Sequence, residues 1–466
     1  MAQVEVRREA RLGPVVQFGL LAGPFLSMVD SNVVNVAIPQ IARSFSAPLA
    51  DVQWTVSGYL LALATGLGAS AYLARRFGTR EVYLASLAGF TLASIACALA
   101  TSSQALVTAR VLQGLLGAPL VPLAMGMLLG SGGARRQLSP AAGIVLFLAP
   151  ALGPTVGGIL TSAFGWQSVF LVNVPFGIAG IAGVLGLDPR LAPGRGRDAR
   201  LDVVGLVALS LALVLATYGA SVGPADGWWS RASLPFWLGG LVLLAGYAVW
   251  AFVHPRPVVE LRVFTRRDPA LAILLSIIAG LVLFAVLFLM PVFIQDVQGG
   301  SATDAGLLLL PQGITMAAGT ILGDVLTRRR VVRPSVIGGF VVLALTTADL
   351  TLLQAGTPGL EVALVLCGRG LSLGLIIQPL LVATLGELPP DELADANTLF
   401  NIVERVAGSF GVALVATFFQ SRVRIDGAVS GFHDTVWLLV ALAGAGFLIS
   451  MLLSGRLDAE KATDQA

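Results

Sequence analysis

Charge is scarce in this 466-residue chain: Asp, Glu, Lys and Arg make up 12% of it, about half the ~25% usual for a soluble domain. With 56% hydrophobic residues and a mean hydropathy of +0.86, that shortage excludes an ordinary water-soluble fold. Cysteine is almost absent. Cys97 and Cys367 lie far apart, each inside an apolar run, and read as small buried hydrophobes rather than a disulfide framework. Histidine is equally rare, and His254 and His433 fall in loops on opposite sides of the membrane under the spans given below, which argues against a two-histidine metal site. No G-x-x-x-x-G-K-[ST] phosphate loop occurs, which argues against an ATP-driven pump. "GLGASA" (66–71) holds only a fragment of a dinucleotide fingerprint and lacks the flanking strand. No nucleophile–base pair or cluster of metal ligands emerges, so an intramembrane enzyme lacks its chemistry. No cofactor and no metal are expected. The net charge of +3 and pI near 9.2 do not call for nucleic acid, because basic residues of membrane proteins gather in cytoplasmic loops.

Long uncharged runs are what the chain has in abundance. Each exceeds the roughly ten-residue alternating segments of an outer-membrane barrel, and a helix satisfies its own backbone in lipid. At about 20 apolar residues per crossing, spans fall near 14–38, 51–74, 82–101, 104–128, 139–163 and 167–187. A pair follows at 203–222 and 234–253, then six more at 269–294, 304–326, 335–354, 361–384, 396–420 and 435–455. The expected fold is therefore an all-α polytopic membrane protein with fourteen transmembrane helices. The layout gives an N-terminal six-helix bundle (1–188), a linker with two additional helices (189–261) and a C-terminal six-helix bundle (262–466). "MAQVEVRREARLG" has no small-residue cleavage site and reads as a cytoplasmic tail. Of 29 Lys and Arg, 22 fall in the tails and even-numbered loops, as in "PRLAPGRGRDAR" and "TRRRVVR". Only Arg43, Arg231, Arg422 and Arg424 lie on the opposite side, and Arg110, Arg369 and Arg405 lie within spans. This bias places both termini in the cytoplasm, and the expected location is the inner (plasma) membrane.

Charges inside spans are costly and by default functional. Asp30 stands in "SMVDSNVVNVAIP", beside a polar stripe of Ser27, Ser31 and Asn35 repeating every four residues. A carboxylate so placed can load and release a proton. In the fourth span Arg110, Gln113, Gly114 and Gly117 share one face, which makes Arg110 a candidate partner for Asp30. The bland alternative is a purely structural ion pair. In "GPTVGG", Gly153 and Gly157 give a close-contact face, and Pro154 and Gly158 beside them suggest a bend or hinge. In the thirteenth span Asn397, Asn401, Glu404 and Gly408 fall on one face. Glu404 there reads either as a second cavity carboxylate, favouring cationic substrates or a second proton, or as half of a local salt bridge.

"VDSNVVNVAIP" with Asp30, "RVLQG" (110–114), "GPTVGG" (153–158), "WQSVFLVNVPFG" (166–177) and "ADANTLFNIVERVAGSFGVAL" (394–414) together resemble the major facilitator superfamily. The likeness is greatest to its fourteen-helix drug:proton antiporters and covers nearly the whole chain. The resemblance implies the major facilitator fold: two six-helix bundles rocking around a central cavity, plus two extra helices. It also implies multidrug efflux of hydrophobic or amphipathic small molecules driven by inward proton movement. Asp30, Arg110 and Glu404 would be the proton-coupling residues. Ser27, Ser31, Asn35, Gln113, Asn397 and Asn401 would line the substrate cavity. The family's gating loop resembles G-x-L-A-D-R-x-G-R-K. In "AYLARRFGTR", Arg76, Gly78 and Arg80 fit, but Arg75 replaces the acid, whereas the second copy, "TILGDVLTRR", keeps Asp324. At the family's arginine position in the thirteenth span stands Glu404, with Arg405 next to it. The expected partners are a small-molecule substrate, protons and membrane lipids, and the expected working unit is a monomer. The alternative is a facilitator-type transporter of a lipid or a dedicated metabolite.

Overall fold

The computed structural model describes residues 13–129, 140–187, 201–255, 257–385 and 393–454. The tails, "PRLAPGRGRDAR" and part of the cytoplasmic-loop charge count lie outside these residues. Long helices follow one another: α1 (Pro14–Phe45), α2 (Trp54–Phe77), α3 (Thr79–Ala98), α4 (Ser103–Leu128), α5 (Pro140–Phe164), α6 (Ser168–Leu185), α7 (Val203–Asp226) and α8 (Leu234–Val253). Then come α9 (Arg267–Val292), α10 (Ala302–Arg328), α11 (Val332–Asp349), α12 (Gly359–Leu385), α13 (Leu393–Asp426) and α14 (Ala428–Ser450). Among the described residues thirteen helices are long and apolar enough to cross a membrane. The 25-residue α5 lies at the expected fifth span.

Local chemistry sets the helix ends. Ser102 starts α4 by accepting the Ala105 N–H, and Ser301 with Asp304 forms a capping box at the start of α10. α1 runs past Pro39 to Phe45 and stops where Ser46 turns left-handed. Pro24, inside α1, cannot donate to the Leu20 carbonyl. Tyr83 of α3 fills the gap, its hydroxyl lying 3.0 Å from both Leu20 O and Gly23 N. A neighbouring helix thus repairs the break, as lipid requires.

Of the thirteen, α1 and α9 are the most enclosed and α8 the least. α1 packs on α5 and α6, α9 on α12 and α13, and the α7–α8 pair rests against α13 and α2. Polar contacts between α1–α6 and α9–α14 cluster at the end of the bundle where α1 finishes. Gln295 donates to Val36 O (2.9 Å), and Gln420 accepts from Ala50 N (3.0 Å). Ser57 and Ser409 exchange hydroxyl-to-carbonyl bonds of 3.0 Å each way. Thr303 N–H donates to Ser162 Oγ (3.0 Å). That end is closed.

Arg43 and Asp296 also meet there at 3.0 Å, but their side chains are 60% and 44% exposed. Exposed pairs contribute about 0–1 kcal/mol. Arg43→Ala should therefore shift thermal unfolding in detergent by the equivalent of less than about 1 kcal/mol. A loss several times larger would mean that this pair, rather than the helix packing, holds the end shut.

Candidate functional site

Asp30 lies midway along α1 with no exposed surface, and Arg110 lies on α4, equally buried. The two form an ion pair through Arg110 Nη1 and Asp30 Oδ2. Two further groups serve the other carboxylate oxygen: Asn173 Nδ2 at 2.8 Å and Gln113 Nε2 at 3.2 Å donate to Asp30 Oδ1. Ser94 Oγ accepts from both of these amides, at 2.6 Å from Gln113 and 3.1 Å from Asn173. The guanidinium is held as closely. Its Nε donates to Thr55 O (2.9 Å), and Nη1 also donates to Gln113 Oε1 (2.7 Å). Its central carbon sits 3.8 Å from the centre of the Tyr59 ring. Five helices, α1, α2, α3, α4 and α6, thus converge on one charge pair.

Desolvating two charges is expensive, and only good geometry with extra hydrogen bonds repays it. The network here supplies donors to both Asp30 oxygens, while Arg110 Nη2 stays buried without a partner among the described residues. Adding a proton to it would remove the anion from Arg110 and leave the cation with Thr55 O, Gln113 and the Tyr59 face. A proton there would change the charge presented at the centre of the bundle.

Other expected site residues distribute as follows. Ser27 and Ser31 are buried on α1, with Ser31 Oγ donating to Ser27 O at 2.7 Å. Asn35 is buried too, and neither of its amide atoms has a partner among the described residues. Asn401 Nδ2 donates to Asn397 O at 2.8 Å. Glu404 is turned towards α9, where a Cβ built on Gly280 would lie 3.7 Å from its Cγ. Its neighbour Arg405 crosses to α1 instead, with Nη1 3.5 Å from Ser31 Oγ. The sequence names the charged pair but passes over Thr55, Tyr59, Ser94 and Asn173. Asn173 stands inside the quoted "WQSVFLVNVPFG", and its polarity in an apolar run is the one signal that points to it.

The glycines of "GPTVGG" divide between two partners. Gly153 and Gly157 face α1, where a Cβ on Gly157 would lie 2.5 Å from Val33 O. Gly158 and Pro154 face α10, where a Cβ on Gly306 would lie 2.5 Å from Pro154 O and 3.2 Å from the Gly158 Cα. Thr155 Oγ1 donates to Gly306 O at 3.0 Å, locking the same seam. At the opposite end Gly78 (φ 101°) makes the turn between α2 and α3. Arg80 Nη2 donates to Leu185 O (3.0 Å), Arg76 is exposed, and Asp324 pairs with Arg328 of its own helix at 2.9 Å.

A model of the Major Facilitator Superfamily matches residues 20–412. The chain is 33% identical over 416 residues to the tetracenomycin C resistance and export protein of Streptomyces glaucescens, covering 86% of this chain and 75% of the relative. It is 32% identical over 403 residues to a multidrug resistance protein B homolog of Mycobacterium tuberculosis (strain ATCC 25618 / H37Rv), covering 84% and 73%. In fold it is similar to the crystal structure of the nucleoside transporter NupG. There the TM-score is 0.66 at 12% identity, over 94% of this chain and 99% of that one.

Proposed function

The chain belongs to the Major Facilitator Superfamily, and from that premise we propose that it is a proton-coupled antiporter exporting hydrophobic or amphipathic small molecules. In this reading 1–188 and 262–466 are two rocking six-helix bundles, 189–261 supplies the linker and the added pair, and α5 is the fourteenth span. Both termini lie in the cytoplasm, the chain sits in the inner membrane, and one copy suffices. The observation that carries the reading is the Asp30–Arg110 pair, a proton-accepting carboxylate held without exposure among five helices. The names of the relatives, resistance and export proteins, support export as the direction. The glycine-lined seam between α5 and α10 supports rocking, since small residues let backbones approach and slide.

Asp30 receives protons and Arg110 holds it when ionised; Gln113, Asn173 and Ser94 fix its orientation. With the end near Ser57, Ser409 and Gly306 closed, substrate enters from the side carrying the termini. Proton uptake from the opposite side then accompanies the return. Reconstitution in proteoliposomes with a panel of dyes and antibiotics tests this. At least one compound should accumulate against its gradient when a pH gradient is imposed, and a protonophore should abolish the accumulation. Movement unaffected by the gradient would overturn proton coupling, and movement of a lipid reporter with none of the panel would favour the lipid alternative.

A further inference from the structure

On α13, Asn397, Asn401, Arg405 and Ser409 recur every four residues, a polar stripe that winds slowly round the helix. Their exposure falls along the helix. Asn397 is exposed, Asn401 and Arg405 are half-buried, and Ser409 is fully buried against Ser57 of α2. The stripe thus runs from the exposed Asn397, near the end where α1 starts, to the half-buried Arg405. There the guanidinium crosses to Ser31, the residue after Asp30. Arg405 makes no ion pair among the described residues, and its Nε is buried without a partner. The neighbouring acids do not neutralise it. Glu404 is turned onto the α9 side, the side on which Gly408 packs against Phe284. Asp30 is fully buried, and its charge is taken by Arg110. A solute moving along the stripe thus meets a cation at its end.

An arginine at membrane depth is costly unless paired, and its planar fork matches a carboxylate or another oxyanion through two parallel hydrogen bonds. We propose that Arg405 recognises an ionised acidic group on the exported compound, so that this protein selects amphipathic weak acids over cations. The inference rests on the export reading and names its substrate class. Charge balance is compatible with exchange. In their charged forms Asp30, Arg110, Glu404 and Arg405 sum to zero. A bound anion makes the site negative and a proton on Asp30 makes it positive. An inside-negative potential then drives the anion outward and the proton inward.

The test uses the full chain and three probes on one skeleton: an amphipathic carboxylic-acid dye, its primary amide and its amine. Binding is read in detergent at neutral pH by tryptophan quenching, and transport is read in proteoliposomes. The wild type should bind the acid about tenfold or more tighter than the amide, as expected for a charged hydrogen-bonded pair. Arg405→Gln should bring the acid down to the affinity of the amide, and Arg405→Lys should keep part of the preference. Thermal unfolding of Arg405→Gln shows whether that variant is folded, and the wild-type acid-to-amide ratio stands without it. Equal wild-type affinity for acid and amide, or a preference for the amine, overturns the inference while leaving export intact. Preferential binding of the acid with no transport of any probe would sustain the inference and sink the export reading.

Discussion

Asp30→Asn should reach the membrane, keep its helices and lose gradient-driven transport, with accumulation falling to that of protein-free liposomes. Asparagine nearly matches aspartate in shape, so the donors from Asn173 and Gln113 keep an oxygen to address. What disappears is the oxygen facing Arg110: an amide NH2 takes its place and sets donor against donor. Removing one partner of a buried pair costs about 3–5 kcal/mol. Thr55 O, Gln113 Oε1 and the Tyr59 face still hold the guanidinium, but Nη1 then faces a donor and Nη2 has no partner among the described residues, so the loss should fall within that range. The variant imitates the protonated state permanently, so it cannot couple a proton to movement. Transport at the wild-type rate with an intact dependence on the pH gradient would remove Asp30 from the proton path. Arg110→Gln separates the roles further. It leaves a buried carboxylate without its cation, which is costly. Such a variant should also fail to use the gradient, while Asp30 remains available to label with a carboxyl reagent if water enters the site.

Asp30 and Arg110 were legible because a charge in an apolar run stands out one residue at a time. Their spacing from helix neighbours even placed Gln113 correctly on the face of Arg110. The rest of the network was not legible, for a physical reason. Ser94, Thr55 and Asn173 are uncharged polar residues in helices, where such residues are common, and only the packing of α2, α3 and α6 turns them towards Asp30. Glu404 and Arg405 show the limit most clearly. Successive helical residues point about 100° apart, so the pattern alone suits either one to the centre. The tertiary fold sends Glu404 to Gly280 and Arg405 to Ser31. Helix ends show it too. The apolar run puts the end of the first span near 38, yet the helix runs past Pro39 to Phe45. Proline removes one hydrogen bond, and enclosed packing on α5 and α6 outweighs that loss. "GPTVGG" was legible as a contact motif, but its division between α1 and α10 depends on which helices lie on each side.

That division leads to the second large effect, at Gly306. The seam between α5 and α10 closes because neither backbone carries a side chain where Gly158 meets Gly306. In Gly306→Val, the Cβ alone would sit 2.5 Å from Pro154 O and 3.1 Å from the Thr155 Cα, and both neighbours are backbone atoms that cannot swing aside. Overpacking of this kind costs about 1–3 kcal/mol, and the whole cost falls on the state in which the seam is shut. A penalty of that size shifts a two-state balance by about 5–150-fold, so the variant should populate the form open near Ser162 and Thr303. Transport should be lost although the Asp30–Arg110 site, on the far side of α1, is untouched. Cysteines at Ser162 and Thr303, whose parent residues hydrogen-bond at 3.0 Å, report the change directly. They should crosslink readily when Gly306 is present and poorly in Gly306→Val, with Gly306→Ala between the two. An unchanged crosslinking yield with transport lost would show that the seam stays closed and that the defect lies elsewhere. Efficient transport by Gly306→Val would mean that closure of α5 on α10 is not a step of the cycle.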